Sequence, residues 1–209
     1  MSKFTDDLIA VARREWTRWG GPSEALDSTR SGYAGKDMED MDPYWQYVGD
    51  YWKALGSSLD GKDPVAWSAA FISYCFKEGG AGAAFPYHEN HSVYVAKIDG
   101  GFNAGLVLED PATAILAPGD LLWASRSGAD CRTPPNSFAA AKVELASIRQ
   151  HGPSFCSHCD IVVEIRPGSA DVIGGNVHDA VTRTTYHLDH QGHIHDGRRT
   201  FVGVVKTGL

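Results

Sequence analysis

The chain has 209 residues, of which 43% are hydrophobic and 22% charged, so it can bury a full core and is typical of a one-domain globular protein. Its formal net charge of -7 argues against a nucleic-acid-binding protein, which usually carries a basic face, and against electrostatic docking on an anionic membrane. The N-terminus lacks the apolar run of a signal peptide, and nowhere do about 18 apolar residues run together. We therefore expect synthesis in the cytoplasm, with any export left to a dedicated secretion system or to lysis of the host cell.

Apolar residues at helical spacing predict two helices in the first quarter of the chain. Residues 4–19 form an amphipathic helix, and residues 43–55 form a second helix whose aromatic side chains either fill the core or line a sugar- and peptide-facing wall. We interpret residues 1–42 as an N-terminal helical extension of a single domain spanning residues 1–209. Several carboxylates in this extension have no His or Cys beside them, which predicts a solvated acidic loop rather than a metal site: Asp37, Glu39, Asp40 and Asp42.

A third predicted helix carries a hydroxyl in its first turns. Asp63 is a good N-cap and Pro64 suits the first helical position, so this helix is expected to run from there to Gly79. Its faces are nearly all apolar, which predicts a central helix covered on all sides. Ser68 would lie at the positive end of the helix dipole, where negative charge on an attacking oxygen is favoured. The alternative is a small polar residue that a packed helix tolerates.

The second half of the chain changes from helical to strand periodicity. Two more helices are predicted, at residues 91–97 and 137–150, and the second should bury Ala139, Val143, Ala146 and Ile148. A strand at residues 120–124 lies between them. Period-two patterns follow that predict an antiparallel sheet, with strands at residues 156–165, 170–177, 179–187 and 199–206. Helices followed by an antiparallel sheet indicate an α+β protein.

Three segments resemble the motifs of one hydrolase superfamily, in the same order. The segment Trp67 to Ser73 resembles the Trp-Cys-Ala-Ala-Phe-Val core of CHAP domains, which are papain-like, NlpC-type cell-wall hydrolases. Pro118 to Leu122 resembles their Pro-Gly-Asp-Leu strand, and His158 to Glu164 resembles the strand that carries the catalytic His. The chain is still more similar to an uncharacterised branch of the superfamily (domain of unknown function 2272). That branch has Ser at the nucleophile position, a His-x-x-Tyr like His91 to Tyr94, and a Gly-Gly-Asn-Val like Gly174 to Val177.

This resemblance implies a papain-like (CHAP-type) fold in which a nucleophile-bearing helix packs on an antiparallel sheet. It places Ser68 at the position of the catalytic cysteine and His158 at that of the base. It also implies an amide-bond hydrolase of peptidoglycan, either an amidase or an endopeptidase, which needs no cofactor and no metal. A delivered antibacterial effector, with a possible inhibitor or immunity protein as partner, or a lysis enzyme would act on such a substrate.

Two residues compete to orient the ring of His158. A hairpin turning at Pro167 and Gly168 would place Asn176 opposite residue 158, and in CHAP domains an Asn on this strand supports the catalytic His. Asp160 would raise the basicity of the ring more than an amide can. Residues two apart on one strand, however, lie about 7 Å apart, so contact would need a bend or a bulge. Asn176 is therefore the preferred partner.

The substrate-binding residues are expected around the predicted nucleophile. His91 and Tyr94 are three residues apart and share a helix face, which suggests the wall of a cleft. Trp67 adjoins Ser68, and Tyr51 lies on the aromatic helix. Tyr51 and Tyr94 are also candidate second donors to an oxyanion, beside the backbone N–H of Ser68.

Two further interpretations belong to other classes of protein. A serine lacks the resting thiolate ion pair of a cysteine, so the fold could be an inactive module that binds wall fragments or a protein partner. The spacing of Cys156, His158 and Cys159 suggests a zinc site completed by Cys131 or by a histidine of residues 187–195, although a second close cysteine pair is missing. With only four cysteines, reduced thiols are the default expectation.

Overall fold

A computed structural model describes residues 2–128 and 131–209, which form an α+β protein with five helices and an eight-stranded mixed sheet. The helices are α1 (Lys3–Arg18), α2 (Tyr44–Ala54), α3 (Ser68–Glu78), α4 (His91–Asp99) and α5 (Phe138–Arg149). The strands are β1 (Ser23–Glu24), β2 (Arg30–Ser31), β3 (Leu106–Glu109), β4 (Leu121–Ser125), β5 (Ser157–Arg166), β6 (Ser169–Gly174), β7 (Thr182–His187) and β8 (Thr200–Thr207). None of the helices in the described ranges is long and apolar enough to cross a membrane.

The sheet has the strand order β2-β1-β7-β6-β5-β4-β8-β3. Neighbouring strands are antiparallel except β1 and β7, which pair in parallel, so the predicted purely antiparallel sheet is corrected to a mixed one. Strands β5 and β6 form the predicted hairpin, in which Arg166 pairs with Ser169 across the two-residue turn. The strands that sequence periodicity did not predict are the short ones at the two ends of the sheet.

The central helix α3 begins at Ser68, later than the Asp63 cap predicts. The carboxylate of Asp63 accepts a hydrogen bond from the backbone N–H of Asp60 at 2.8 Å, so it closes a turn in the loop and caps no helix. Ser68 therefore occupies the first helical position, closer to the positive end of the dipole than expected. Eight of the eleven residues of α3 are buried, which confirms its central position.

The face that helix α5 buries matches the predicted one only in part, because Ile148 packs half-buried against the core. Its buried residues are Ala141 and Leu145, whereas Val143 is 71% exposed. Small apolar residues occur on both faces of this helix, so their spacing alone does not identify the side that packs on the protein.

Two apolar clusters cover the two faces of the sheet. The larger lies between the helices and the sheet and contains four fully buried tryptophans, Trp19, Trp52, Trp67 and Trp123. The smaller cluster forms on the other face around Leu122, Val162, Val172 and Val204. Helix α1 packs against α3 and β5, so residues 1–42 contribute a helix and two strands to the same core and sheet.

Candidate active site

The polar side chains that the sequence analysis predicts to be functional lie together at one end of the sheet. Because β4 is antiparallel to both β5 and β8, its C-terminal end lies beside the N-terminal ends of those strands, and the C-terminal end of β6 meets them there. Ser125 pairs with Ser157 at this end, next to His158. The N-termini of α3 and α4 bring Ser68 and His91 to the same place, since His91 is 5.5 Å from His158 between ring centroids.

The hydroxyl of Ser68 is bonded to His91. Its Oγ lies 2.7 Å from Nε2 of His91, and both residues are buried. His91 is the first residue of α4, which Asn90 caps by accepting a hydrogen bond from the backbone N–H of Ser92. The predicted neighbour of Ser68 was His158, whereas the structure places His91 there and His158 one ring further away. His91 was predicted to line the cleft; it lines the cavity that contains Ser68, and it also contacts the candidate nucleophile.

The other nitrogen of His91 is held by Tyr94. Its Nδ1 lies 2.6 Å from the Tyr94 hydroxyl, one turn along α4, as the shared face predicts. Burial, followed by the proximity of the titratable ring of His158, lowers the pKa of His91 well below its ordinary value, so the ring is neutral. Burial raises the pKa of Tyr94 well above its ordinary value, and its hydroxyl lies beside the Cys159 thiol. If Tyr94 donates to that sulfur and accepts from Nδ1–H, the lone pair of Nε2 receives the proton of Ser68.

His158 is held by Asp160 and not by Asn176. Its Nε2 lies 2.8 Å from Oδ1 of Asp160, and both side chains are almost fully buried. Burial lowers the pKa of His158, while the Asp160 carboxylate opposes that shift. Burial alone would raise the pKa of Asp160, yet His158 and Arg199 hold it below its ordinary value. The pair thus consists of a neutral imidazole and an ionised carboxylate.

Gly174 explains why Asp160 takes the place that the sequence assigns to Asn176. A Cβ at Gly174 would lie 1.9 Å from Oδ1 of Asp160 and 2.9 Å from Nε2 of His158, so the carboxylate occupies the space that a side chain would fill. Strand β6 ends at Gly174, and Asn176 has a φ of 56°, outside the extended strand that the register argument assumes. Asn176 instead lines a pocket beside His158.

Two predicted substrate contacts are buried in the core. Tyr51 is fully buried, donates to Glu15 at 3.0 Å and accepts from Nε1 of Trp19 at 2.9 Å. Trp67 is 1% exposed, and its Nε1 donates to Glu39, which is therefore not a member of a purely solvated loop. Burial of both rings leaves no surface for a substrate, so Tyr51 and Trp67 are core residues.

Two cysteines form a disulfide, which corrects the expectation of reduced thiols. Cys131 and Cys156 are bonded, with 5.6 Å between their Cα atoms, and Cys156 lines the pocket that contains Ser68. The bond withdraws both sulfurs from the proposed zinc site, and Cys159 lies buried beside Tyr94. Within residues 2–128 and 131–209, no group of three or more His, Cys, Asp or Glu side chains is arranged to hold a metal ion.

Two adjoining pockets open at this end of the sheet. A cavity of about 120 Å³ is lined by Ser68 and His91, and one of about 280 Å³ by His158 and Arg199. Arg126 lines both cavities. Sequence reasoning missed Arg126 and Arg199, although Arg126 follows the strand predicted at residues 120–124 and Arg199 is the first residue of the strand predicted at residues 199–206.

Comparison with known proteins places the chain in one family. A family model described as an uncharacterised protein conserved in bacteria (DUF2272) matches residues 32–204, a range that includes Ser68, His91, His158 and Asp160. No curated protein and no solved structure is significantly similar to the chain. Because the model matches well over half of the sequence, the chain belongs to the bacterial DUF2272 family.

Proposed function

We propose that this protein is an amide-bond hydrolase of peptidoglycan, an amidase or endopeptidase, that uses Ser68 as its nucleophile on a papain-like fold of the CHAP type. The observation that carries the proposal is the 2.7 Å contact between Oγ of Ser68 and Nε2 of His91 at the buried start of α3. A hydroxyl bonded to a neutral imidazole, which a third group orients, is the arrangement of an activated nucleophile. The substrate class rests on the resemblance of three ordered motifs to those of CHAP domains.

The first step would be attack of Oγ of Ser68 on an amide carbonyl. A serine has no resting thiolate, so its proton must leave during attack, and Nε2 of His91 receives it. Tyr94 keeps the ring oriented by accepting from Nδ1–H. The negative charge of Asp160 raises the pKa of His91 and so favours the imidazolium that forms. The same proton then passes to the leaving amine, and water releases the acyl group from Ser68.

The backbone of α3 offers donors for the oxyanion. The first helix-type hydrogen bond runs from the N–H of Phe71 to the carbonyl of Trp67 at 3.0 Å, which leaves the earlier N–H groups without a partner in the helix. Ser68 and Ala69 both line the smaller cavity. The N–H of Ser68 remains the first donor, as predicted, and the N–H of Ala69 replaces Tyr51 and Tyr94 as the second, because those two hydroxyls are engaged in the core.

The pair of His158 and Asp160 would act beside this dyad. Since Nε2 of His158 is bonded to Asp160, Nδ1 is the nitrogen left for substrate or water, and the ring lines the larger cavity. We assign His158 the positioning of the hydrolytic water or the leaving group. The resemblance to CHAP domains assigns the proton of Ser68 to His158; in this proposal His91 takes that role, because its Nε2 is the nitrogen 2.7 Å from Oγ of Ser68.

Digestion of isolated peptidoglycan, followed by mass analysis of the fragments, tests the proposal. The wild type should release defined products, and Ser68→Ala and His91→Ala should each lower the rate by about 10⁴. Ser73→Ala is the matched control, because this serine lies in the same helix and its hydroxyl donates to the carbonyl of His88 at 3.2 Å. His158→Ala should slow product release from the acyl-enzyme and leave Ser68 able to attack.

A wild type that releases nothing would contradict the hydrolase. If it still binds wall fragments, and Ser68→Ala binds them equally well, the fold is a binding module. Toxicity of the protein when directed to the periplasm, suppressed by a co-produced inhibitor, would support the role of a delivered antibacterial effector.

A further inference from the structure

The larger cavity beside His158 is positively charged, although the chain carries a net charge of -7. Three arginines line it, Arg126, Arg198 and Arg199, and Asn176 supplies an amide. A concave site lined by one sign of charge concentrates ligands of the opposite sign, even on a protein whose overall charge repels them. The positive charge of this cavity therefore favours a negatively charged ligand.

The three arginines are not equivalent. Arg198 is neutralised, because its guanidinium bonds to Asp196 at 2.7 Å and approaches Glu24 at 3.3 Å. Arg199 forms no salt bridge with any carboxylate of the described residues, and Asp160, whose charge acts on Arg199, directs Oδ1 to His158. Arg199 thus keeps its five N–H donors for a ligand.

The charge of Arg199 lies close to the reacting groups. Arg199 and Arg126 line the same cavity as His158. Burial lowers the pKa of both His91 and His158, and the positive charges of the two arginines add to that shift. Arg126 also reaches the smaller cavity that contains Ser68. A ligand held by both arginines would therefore extend from the larger cavity towards the serine.

We propose that Arg199 and Arg126 bind a carboxylate of the substrate, so that the amide cleaved at Ser68 belongs to an acidic peptide. The guanidinium fork matches a carboxylate through two parallel hydrogen bonds. A volume of about 280 Å³ accommodates one acidic residue and not an extended chain. This inference rests on the proposed hydrolysis and adds the chemical class of its substrate.

A binding measurement without bond cleavage tests the inference separately from the hydrolysis. N-acetylglycine, its uncharged analogue N-acetylglycinamide and inorganic phosphate are each titrated into the full chain, and the imidazole signals are followed by NMR. We expect N-acetylglycine to bind about tenfold more tightly than the amide, and Arg199→Gln to remove that preference. Lys36→Gln changes the net charge equally at an exposed loop and should preserve the preference. Arg199→Lys keeps the charge without the fork, and should retain part of it.

Equal binding of N-acetylglycine and its amide by the wild type would overturn the inference. A preference that persists in both Arg199→Gln and Arg126→Gln would also overturn it, since another group would then hold the carboxylate. Tighter binding of phosphate than of N-acetylglycine, lost in Arg199→Gln, would identify a phosphate site and refute the acidic peptide.

Discussion

Replacing Gly174 with Ala should separate His158 from Asp160. The added Cβ would lie 1.9 Å from Oδ1 of Asp160, against 3.4 Å for the closest ordinary contact, a shortfall of 1.5 Å. Withdrawal by that distance takes the carboxylate out of reach of Nε2, which it now approaches at 2.8 Å. Because Gly174 is not among the glycines with positive φ, the backbone accepts an alanine and the clash alone causes the effect.

The expected loss follows from the burial of the pair. Breaking a buried hydrogen bond to a charged group costs about 1.5 to 3 kcal/mol, and a buried carboxylate left without its partner brings the total to about 3 kcal/mol. Urea unfolding at neutral pH measures this decrease in the free energy of unfolding. Gly197→Ala is the control, since a Cβ there meets nothing within 4 Å and the free energy of unfolding should change by no more than about 0.5 kcal/mol.

A double-mutant cycle decides whether the cause is the clash with Asp160. In the Asp160→Ala background there is no carboxylate to displace, so Gly174→Ala should cost far less than in the wild type. If the two costs are equal, or if Gly174→Ala is as stable as Gly197→Ala, the reasoning about the space at Gly174 is refuted.

Three more predictions follow from the same region. The folded-state pKa values of His91 and His158 lie below 6.5, so the unfolded chain binds more protons at these two rings. Their contribution to the free energy of unfolding should be full above about pH 7 and fall as the pH drops below 6.5. A free energy of unfolding in urea that does not change with pH would contradict this. Tyr94→Phe leaves the buried Nδ1–H of His91 without an acceptor and should lower the free energy of unfolding by about 1 to 3 kcal/mol, whereas an unchanged midpoint would show that another acceptor takes its place. Replacing Cys131 and Cys156 by Ser opens a loop with a sequence separation of 25 and should cost about 3 kcal/mol; reduced wild type should match this variant, and oxidised wild type of equal stability would refute the estimate.

Hydrophobic periodicity predicts most of the elements of this fold from the sequence. The helix over residues 4–19 and the hairpin at Pro167 and Gly168 occur within a residue or two of the expected bounds, because long periodic segments and tight turns are locally encoded. The two-residue strands β1 and β2 carry no such period and are defined only by the neighbours they pair with. The start of α3 was misplaced because Asp63 has the features of a cap but bonds within a different turn.

The sequence predicts most residues of the candidate site, but it does not predict which of them contact each other. Ser68, His91, His158 and Asp160 were all singled out, but their pairing depends on where α4 begins and on the missing side chain at Gly174. The register argument for Asn176 assumed that β6 continues, but β6 ends at Gly174 and Asn176 has a left-handed φ of 56°. These contacts join residues far apart in the chain and leave no periodic pattern in the sequence, so residue spacing does not predict them.

Because Cys131 and Cys156 form a disulfide, the geometry near Ser68 depends on the redox conditions around the protein. Thiol buffers keep such cysteines apart in most cytoplasms, whereas secreted and periplasmic proteins retain the link. Arg126 donates its backbone N–H to the carbonyl of Cys156, so the tether also steadies the wall shared by the two cavities. We therefore expect this wall to be fully tethered only in an oxidising compartment, where the disulfide persists.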